Sequence, residues 1–173
     1  MSDFAHRLQL DRIRDGERID LVADEEERAA VRERLDLAGL DRFEAHCVLA
    51  CDGEAIRVTG RIQASLTQSC VVTGVPLTAM VDEPFEIAFL PEPDGIRPDD
   101  EIELAAEECD VVFHDGAVID LGLAIADTLA LSLDPYPRSA GADAALKEAG
   151  IMSEEEASPF AVLAQLKRGD SEP

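Results

Sequence analysis

The residues best able to do chemistry are four cysteines (Cys47, Cys51, Cys70, Cys109) and three histidines (His6, His46, His114). Cys47 and Cys51 fall four apart in a run that reads as a strand. Their thiols then share one face about 13 Å apart, too far to share an ion without a bulge. Cys70 and Cys109 have no neighbour at a ligating spacing, and His46 and His114 stand alone. The expectation is no metal, with the cysteines as buried or half-exposed free thiols. Cys70 with a distant histidine is a formula for a thiol nucleophile, but many chains satisfy it by chance. A nucleophile elbow, an HExxH pair and a Walker loop are all missing, and the many carboxylates cannot be paired from sequence. The expectation is therefore a protein that is not an enzyme, with no cofactor and no small-molecule substrate.

Charge comes next. The 173 residues hold 15 Lys and Arg against 38 Asp and Glu, a formal net of −23. Phosphate backbones and anionic lipid repel such a chain, which disfavours broad nucleic-acid or membrane binding. With no Trp and one Tyr (Tyr136), a base-stacking platform is also disfavoured. The imbalance is concentrated: residues 62–137 contain 16 acids and a single basic residue, Arg97. Glu101, Glu103 and Glu107 lie in the densest part, a candidate docking surface for a cationic partner or, equally, a solvated loop. Ten arginines in residues 1–61 are interleaved with 15 acids, so most are expected in surface ion pairs. Arg57 and Arg61, alternating outward on one strand, are the candidates for contact with RNA.

The elements that must position these residues read as follows. Residues 1–22 suggest one or two short strands. Asp24 and Glu27 form a capping-box pattern opening a helix, with Gly39 as its stop. Phe43–Cys51 leads through Asp52-Gly53, a hairpin dipeptide, into a partner strand whose residues Ile56, Val58, Gly60, Ile62, Ala64 and Leu66 form one face. A turn at Cys70–Pro76 precedes a strand over Leu77–Leu90, bent at Asp82-Glu83-Pro84. After a loop, Val111–Phe113 and Val118–Ile119 flank a turn at His114–Gly116. Asp120 caps a mostly buried helix that Asp134-Pro135-Tyr136-Pro137 ends. Residues 138–157 read as a linker with at most a weak helix at Ala142–Ala149. Ser158-Pro159 then opens a short helix that Gly169 stops. Phe160, Leu163 and Leu166 fall at helical spacing along it, followed by Lys167, as candidate anchors in a partner's groove.

The expected fold is α+β: an antiparallel sheet, open to closure as a barrel, with packed helices. The expected organisation is one domain over 1–137, a linker over 138–157, and a helix and tail over 158–173. The opening residues lack a signal-peptide pattern, and Leu121–Leu133 is too short for a membrane helix. Free cysteines without a disulfide framework suit a reducing cytoplasm, so a cytoplasmic protein away from membranes is expected.

Three segments resemble the YceD family, the bacterial large ribosomal RNA subunit accumulation proteins. Leu66–Leu77, with Cys70 and Pro76, is similar to the family's Cys-x-x-Cys-x-x-Pro turn. Ile119-Asp120-Leu121-Gly122 through Asp127 to Leu133 is similar to its Asp-Leu, acidic, Leu-rich helix. Pro159–Lys167 is similar to its closing Pro-Phe-Ala-x-Leu-x-x-Leu-Lys. The family's second turn cysteine is Thr73 here, so the resemblance carries no zinc or redox role to this turn. Asp127 has Ala126 and Thr128 as neighbours, where the family tends to be more acidic. The resemblance implies a non-catalytic role in ribosome biogenesis that supports 23S rRNA accumulation. Given the charge, that role is expected to run through a basic protein partner, a ribosomal protein being one candidate, rather than a grip on RNA. The alternatives are a chaperone-like binder of a basic ribosomal protein without rRNA specificity, and an enzyme using Cys70.

Overall fold

The computed structural model describes residues 4–92 and 110–151. They divide into two compact units, a larger one from residues 4–68 with 78–135 and a smaller one from 69–77 with 136–151. Glu101, Glu103, Glu107 and the tail residues Phe160, Leu163, Leu166 and Lys167 lie outside the described residues.

In the larger unit, β1 (Arg7–Gln9) is followed by a 3-10 turn, by β2 (Glu17–Val22) and by helix α1 (Glu25–Arg34). The capping box forms: Glu27 N–H donates to the Asp24 carboxylate, and Asp24 N–H donates to the Glu27 carboxylate, both at 2.9 Å. The helix stops earlier than Gly39. Asp36 takes the left-handed conformation (φ 52°). Leu37 N–H then reaches Arg32 O at 2.9 Å and Asp36 N–H reaches Glu33 O at 3.3 Å. This is a Schellman closure with aspartate in the usual glycine place, and Gly39 instead begins a strand.

That strand is β3 (Gly39–Asp52), paired antiparallel with β4 (Ala55–Ser69) through a two-residue turn. The inward row of β4 is the expected one: Ile56, Val58, Ile62, Ala64 and Leu66 are buried. Gly60 belongs to the same row because no side chain fits there. A Cβ would stand 2.4 Å from His46 O and 2.8 Å from the Phe85 ring. β5 (Pro76–Pro91) follows, then β6 (Asp110–His114), β7 (Val118–Asp120) and helix α2 (Leu121–Leu131). β5 tolerates Pro84 because β6 pairs only with residues 87–91, leaving the proline on an unpaired edge.

The five-stranded sheet has the order β2-β3-β4-β5-β6, while β1 and β7 form a separate antiparallel pair. Two sequence expectations need correction. The sheet is mixed rather than antiparallel, since β5 and β6 run parallel. A parallel joint needs a crossover of a dozen or more residues, and residues 92–109 are long enough to supply it. The sheet is also open: β2 and β6 are its edges among the described strands, so it is not a barrel. Its core is aliphatic with phenylalanine, centred on Phe43, Leu49, Ile62, Phe89, Ile119 and Ile125.

In the smaller unit, residues 69–77 form the Cys70 turn, and α3 (Ala142–Glu148) lies in the stretch read as linker. Among the described residues, no helix is long and apolar enough to cross a membrane.

Candidate functional site

Three groups of residues singled out by sequence are described, and each sits in its own setting. The first is the Cys70 turn. Gly74 N–H donates to Cys70 O and Cys70 N–H to Val75 O, both at 2.9 Å, closing the loop. The Cys70 sulfur is buried and accepts two amides, Thr73 N–H at 3.4 Å and Ser139 N–H at 3.2 Å. The hydroxyls of Thr73 and Ser139 are 3.3 Å apart beside it. Hydrogen bonds favour the charged thiolate. The Ser139 hydroxyl, then the Thr73 hydroxyl and the Ser139 amide, hold the Cys70 thiol down to about 6 from an ordinary 9.0. Cys47 is the opposite case: burial in the sheet pushes its thiol up to about 11, and its S–H points to Ile19 O at 3.6 Å. Pro76, the other residue of this motif, begins β5. Among the described residues, no three His, Cys, Asp or Glu side chains gather within reach of one ion.

The second group is the outer face of the sheet. Arg57 and Arg61 do point outward, both from β4. Arg57 is ion-paired with Glu86 and Arg61 with Asp82. A step of four along β4 matches a step of four back along β5, so these strands run antiparallel. The row continues on β3 and β2. His46 Nδ1 is 2.7 Å from Asp20 and its Nε2 is 3.7 Å from Glu44, while Arg42 pairs with Glu44. Arg42 also donates to Gln63 at 3.2 Å. The hydrogen bond that His46 donates to Asp20, with the charges of Asp20 and Glu44, raises the His46 pKa. Arg42 holds the Glu44 carboxyl below its usual range, and Arg61 does the same for Asp82. The face is a ladder of alternating charges satisfied across strands.

The third group is α2. Asp120 Oδ1 accepts from Leu123 N–H and from His6 N–H, each at 3.1 Å, and its Oδ2 lies 3.4 Å from Arg7. One carboxylate thus caps the helix and ties down the N-terminal segment. Leu121 N–H donates to His6 O at 2.9 Å. A Cβ on Gly122 would stand 1.8 Å from Phe4 O, so the Asp-Leu-Gly sequence is a clamp that only glycine permits. Asp127, about two turns beyond the cap, is ion-paired with Arg34 of α1 on the surface.

The structure does not bring these three groups to one point. Sequence reasoning missed Ser139, which no spacing from Cys70 announces, and the Asp20–His46–Glu44 cluster, which exists only through strand register. His114, which stands alone in the sequence, is buried with its Nε2 unpartnered among the described residues.

A family model described as large ribosomal RNA subunit accumulation protein YceD matches residues 58–167, more than half of the chain. The match takes in the Cys70 turn, the Asp120 helix and the closing Pro-Phe segment. Neither the curated proteins nor the solved structures give a match.

Proposed function

The chain belongs to the YceD family of large ribosomal RNA subunit accumulation proteins, and from this premise we propose that it supports 23S rRNA accumulation without catalysis, by holding a basic ribosomal protein. The observation that carries this reading is the state of its arginines. Arg57 and Arg61, the best placed for phosphate, are each engaged by a carboxylate of β5. An RNA strand would have to displace Glu86 and Asp82 on a molecule of net charge −23. A basic protein meets no such barrier, and opposite charge speeds its capture. In this reading Glu101, Glu103 and Glu107 steer the partner, while Phe160, Leu163, Leu166 and Lys167 supply an anchor.

An enzyme using Cys70 is less well supported. The lowered pKa supplies a thiolate without a base, but the sulfur is buried and already bonded to the amides of Thr73 and Ser139, and a nucleophilic cysteine has to be reached by its substrate. The test is the ratio of 23S to 16S rRNA in cells depleted of the protein and supplied with Cys70→Ala. Rescue equal to wild type is expected. Loss of rescue with the variant still folded and abundant would overturn the non-catalytic reading.

A further inference from the structure

A groove runs between β6 and α2 in the larger unit. It consists of two adjoining hollows of about 190 and 230 Å³ that share Val112, Ala124 and Asp127. Leu123, Asp127 and Leu131 recur every four residues along α2, so one helix face lines its length. Across from it stands β6, an outermost strand of the sheet, whose backbone edge is unpaired among the described strands. The apolar side chains here meet solvent: Phe113 and Leu123 are each 39% exposed and Leu131 is 75% exposed. An apolar strip of this kind on an otherwise acidic surface marks an interaction site.

Two polar features say what fits. His114 lines the groove, is 7% exposed, and accepts from Gly116 N–H at Nδ1 (3.0 Å). The proton of the neutral ring is then on Nε2. That buried donor has no partner among the described residues, and it suits an acceptor such as a peptide carbonyl. The charges along the groove are Asp110, Asp120 and Asp127, and only Asp120 and Asp127 are met by arginines, Arg7 and Arg34. Asp110 at one end has no partner among the described residues.

We propose that the β6–α2 groove binds a short protein segment presenting two or three aliphatic or aromatic side chains with Lys or Arg beside them. Its apolar anchors lie along Leu123 and Leu131, a cation faces Asp110, and a backbone carbonyl accepts a hydrogen bond from His114 Nε2. The inference rests on the reading that the chain holds a basic protein, and names where.

The test is a nitrogen–proton correlation NMR titration of the full chain with a synthetic amphipathic Leu/Lys peptide and its Leu/Glu counterpart. The Leu/Lys peptide is expected to saturate, with shifts centred on residues 110–114 and 123–131. Binding should weaken at least tenfold for the Leu/Glu peptide and for a Leu123→Ser/Leu131→Ser variant. Phe113→Ser provides a second variant should the first lose its fold. No saturation, equal affinity in the variants, or shifts elsewhere would overturn the proposal. So would the same shifts on concentrating the protein alone, which would make a second copy the occupant. Peptide binding in the groove by a chain that retains no basic protein from cells would keep the groove and overturn the functional reading instead.

Discussion

The outer face of β3, β4 and β5 and the groove between β6 and α2 belong to the same unit and meet solvent in opposite ways. On the sheet face, Arg42, His46, Arg57 and Arg61 are each met by a carboxylate. Along the groove, Phe113, Leu123 and Leu131 are exposed and the His114 Nε2 donor is unpartnered. Charges that answer one another leave little for a ligand to gain, because any new bond replaces an old one. Unburied apolar area and an unmet donor leave a gain available to a ligand that covers them. Asp120 is a cap and clamp, and Asp127 is an exposed pair.

The largest effect is expected where the helix wall of the groove is fastened. Gly122→Ala forces a methyl into the Phe4 carbonyl, and it should destabilise by about 3 kcal/mol, as overpacking against backbone does. The readout is the denaturant midpoint at unchanged m-value. A neutral result would mean that α2 is not clamped and that the groove lacks a fixed wall. Asp120→Ala removes the acceptor of two amides and should lower stability by about 1–2 kcal/mol, in the range of a lost N-cap.

Cys70 extends the comparison to the smaller unit, where a locally satisfied group is again a closed one. Its thiolate absorbance should titrate near pH 6, and Ser139→Ala should move the midpoint upward, because the Ser139 hydroxyl is the main cause of the lowered value. A thiol whose folded pKa is depressed adds stability above its unfolded value. The melting temperature should therefore fall as pH drops from about 9 to about 6, and Cys70→Ala should remove this component. An unchanged slope would contradict the hydrogen bonds at the sulfur.

The smallest effects belong to the sheet face. Arg61→Ala should change stability by less than about 1 kcal/mol, as exposed pairs do. Asp20→Asn should bring the NMR midpoint of His46 down toward 6.5. The His46 pair stabilises below that pH and is lost as pH rises through the raised value. A loss of several kcal/mol at Arg61 would mean that the ladder is a structural core rather than a solvated face.

The parts of this fold that the sequence makes legible are those set by short-range rules. The Asp24–Glu27 box, the alternation of β4 and the Asp120 cap depend on residues within four or five positions. The parallel joint of β5 and β6 does not, because alternation looks the same whichever way a neighbour runs and the connection decides direction. The stop of α1 at Asp36 is not legible because aspartate adopts the left-handed region only occasionally, whereas Gly39 offers the usual stop. At the sites, alternation alone puts Arg57 and Arg61 on the outer face of β4. Their carboxylate partners, 29 and 21 residues away respectively, follow only from register. Ser139 reaches Cys70 from 69 residues along the chain, beyond any local pattern.

The central claim is that the chain reaches rRNA accumulation through a basic protein and not through RNA. The most direct measurement is capture from cytosol on the tagged full chain at low and high salt, with and without nuclease, identifying both protein and RNA. The account predicts one basic ribosomal protein, retained after nuclease treatment, weakened as salt screens the acidic surface, and reduced by Leu123→Ser/Leu131→Ser. Retention of 23S rRNA that needs no bound protein and is abolished by Arg57→Ala/Arg61→Ala would contradict it.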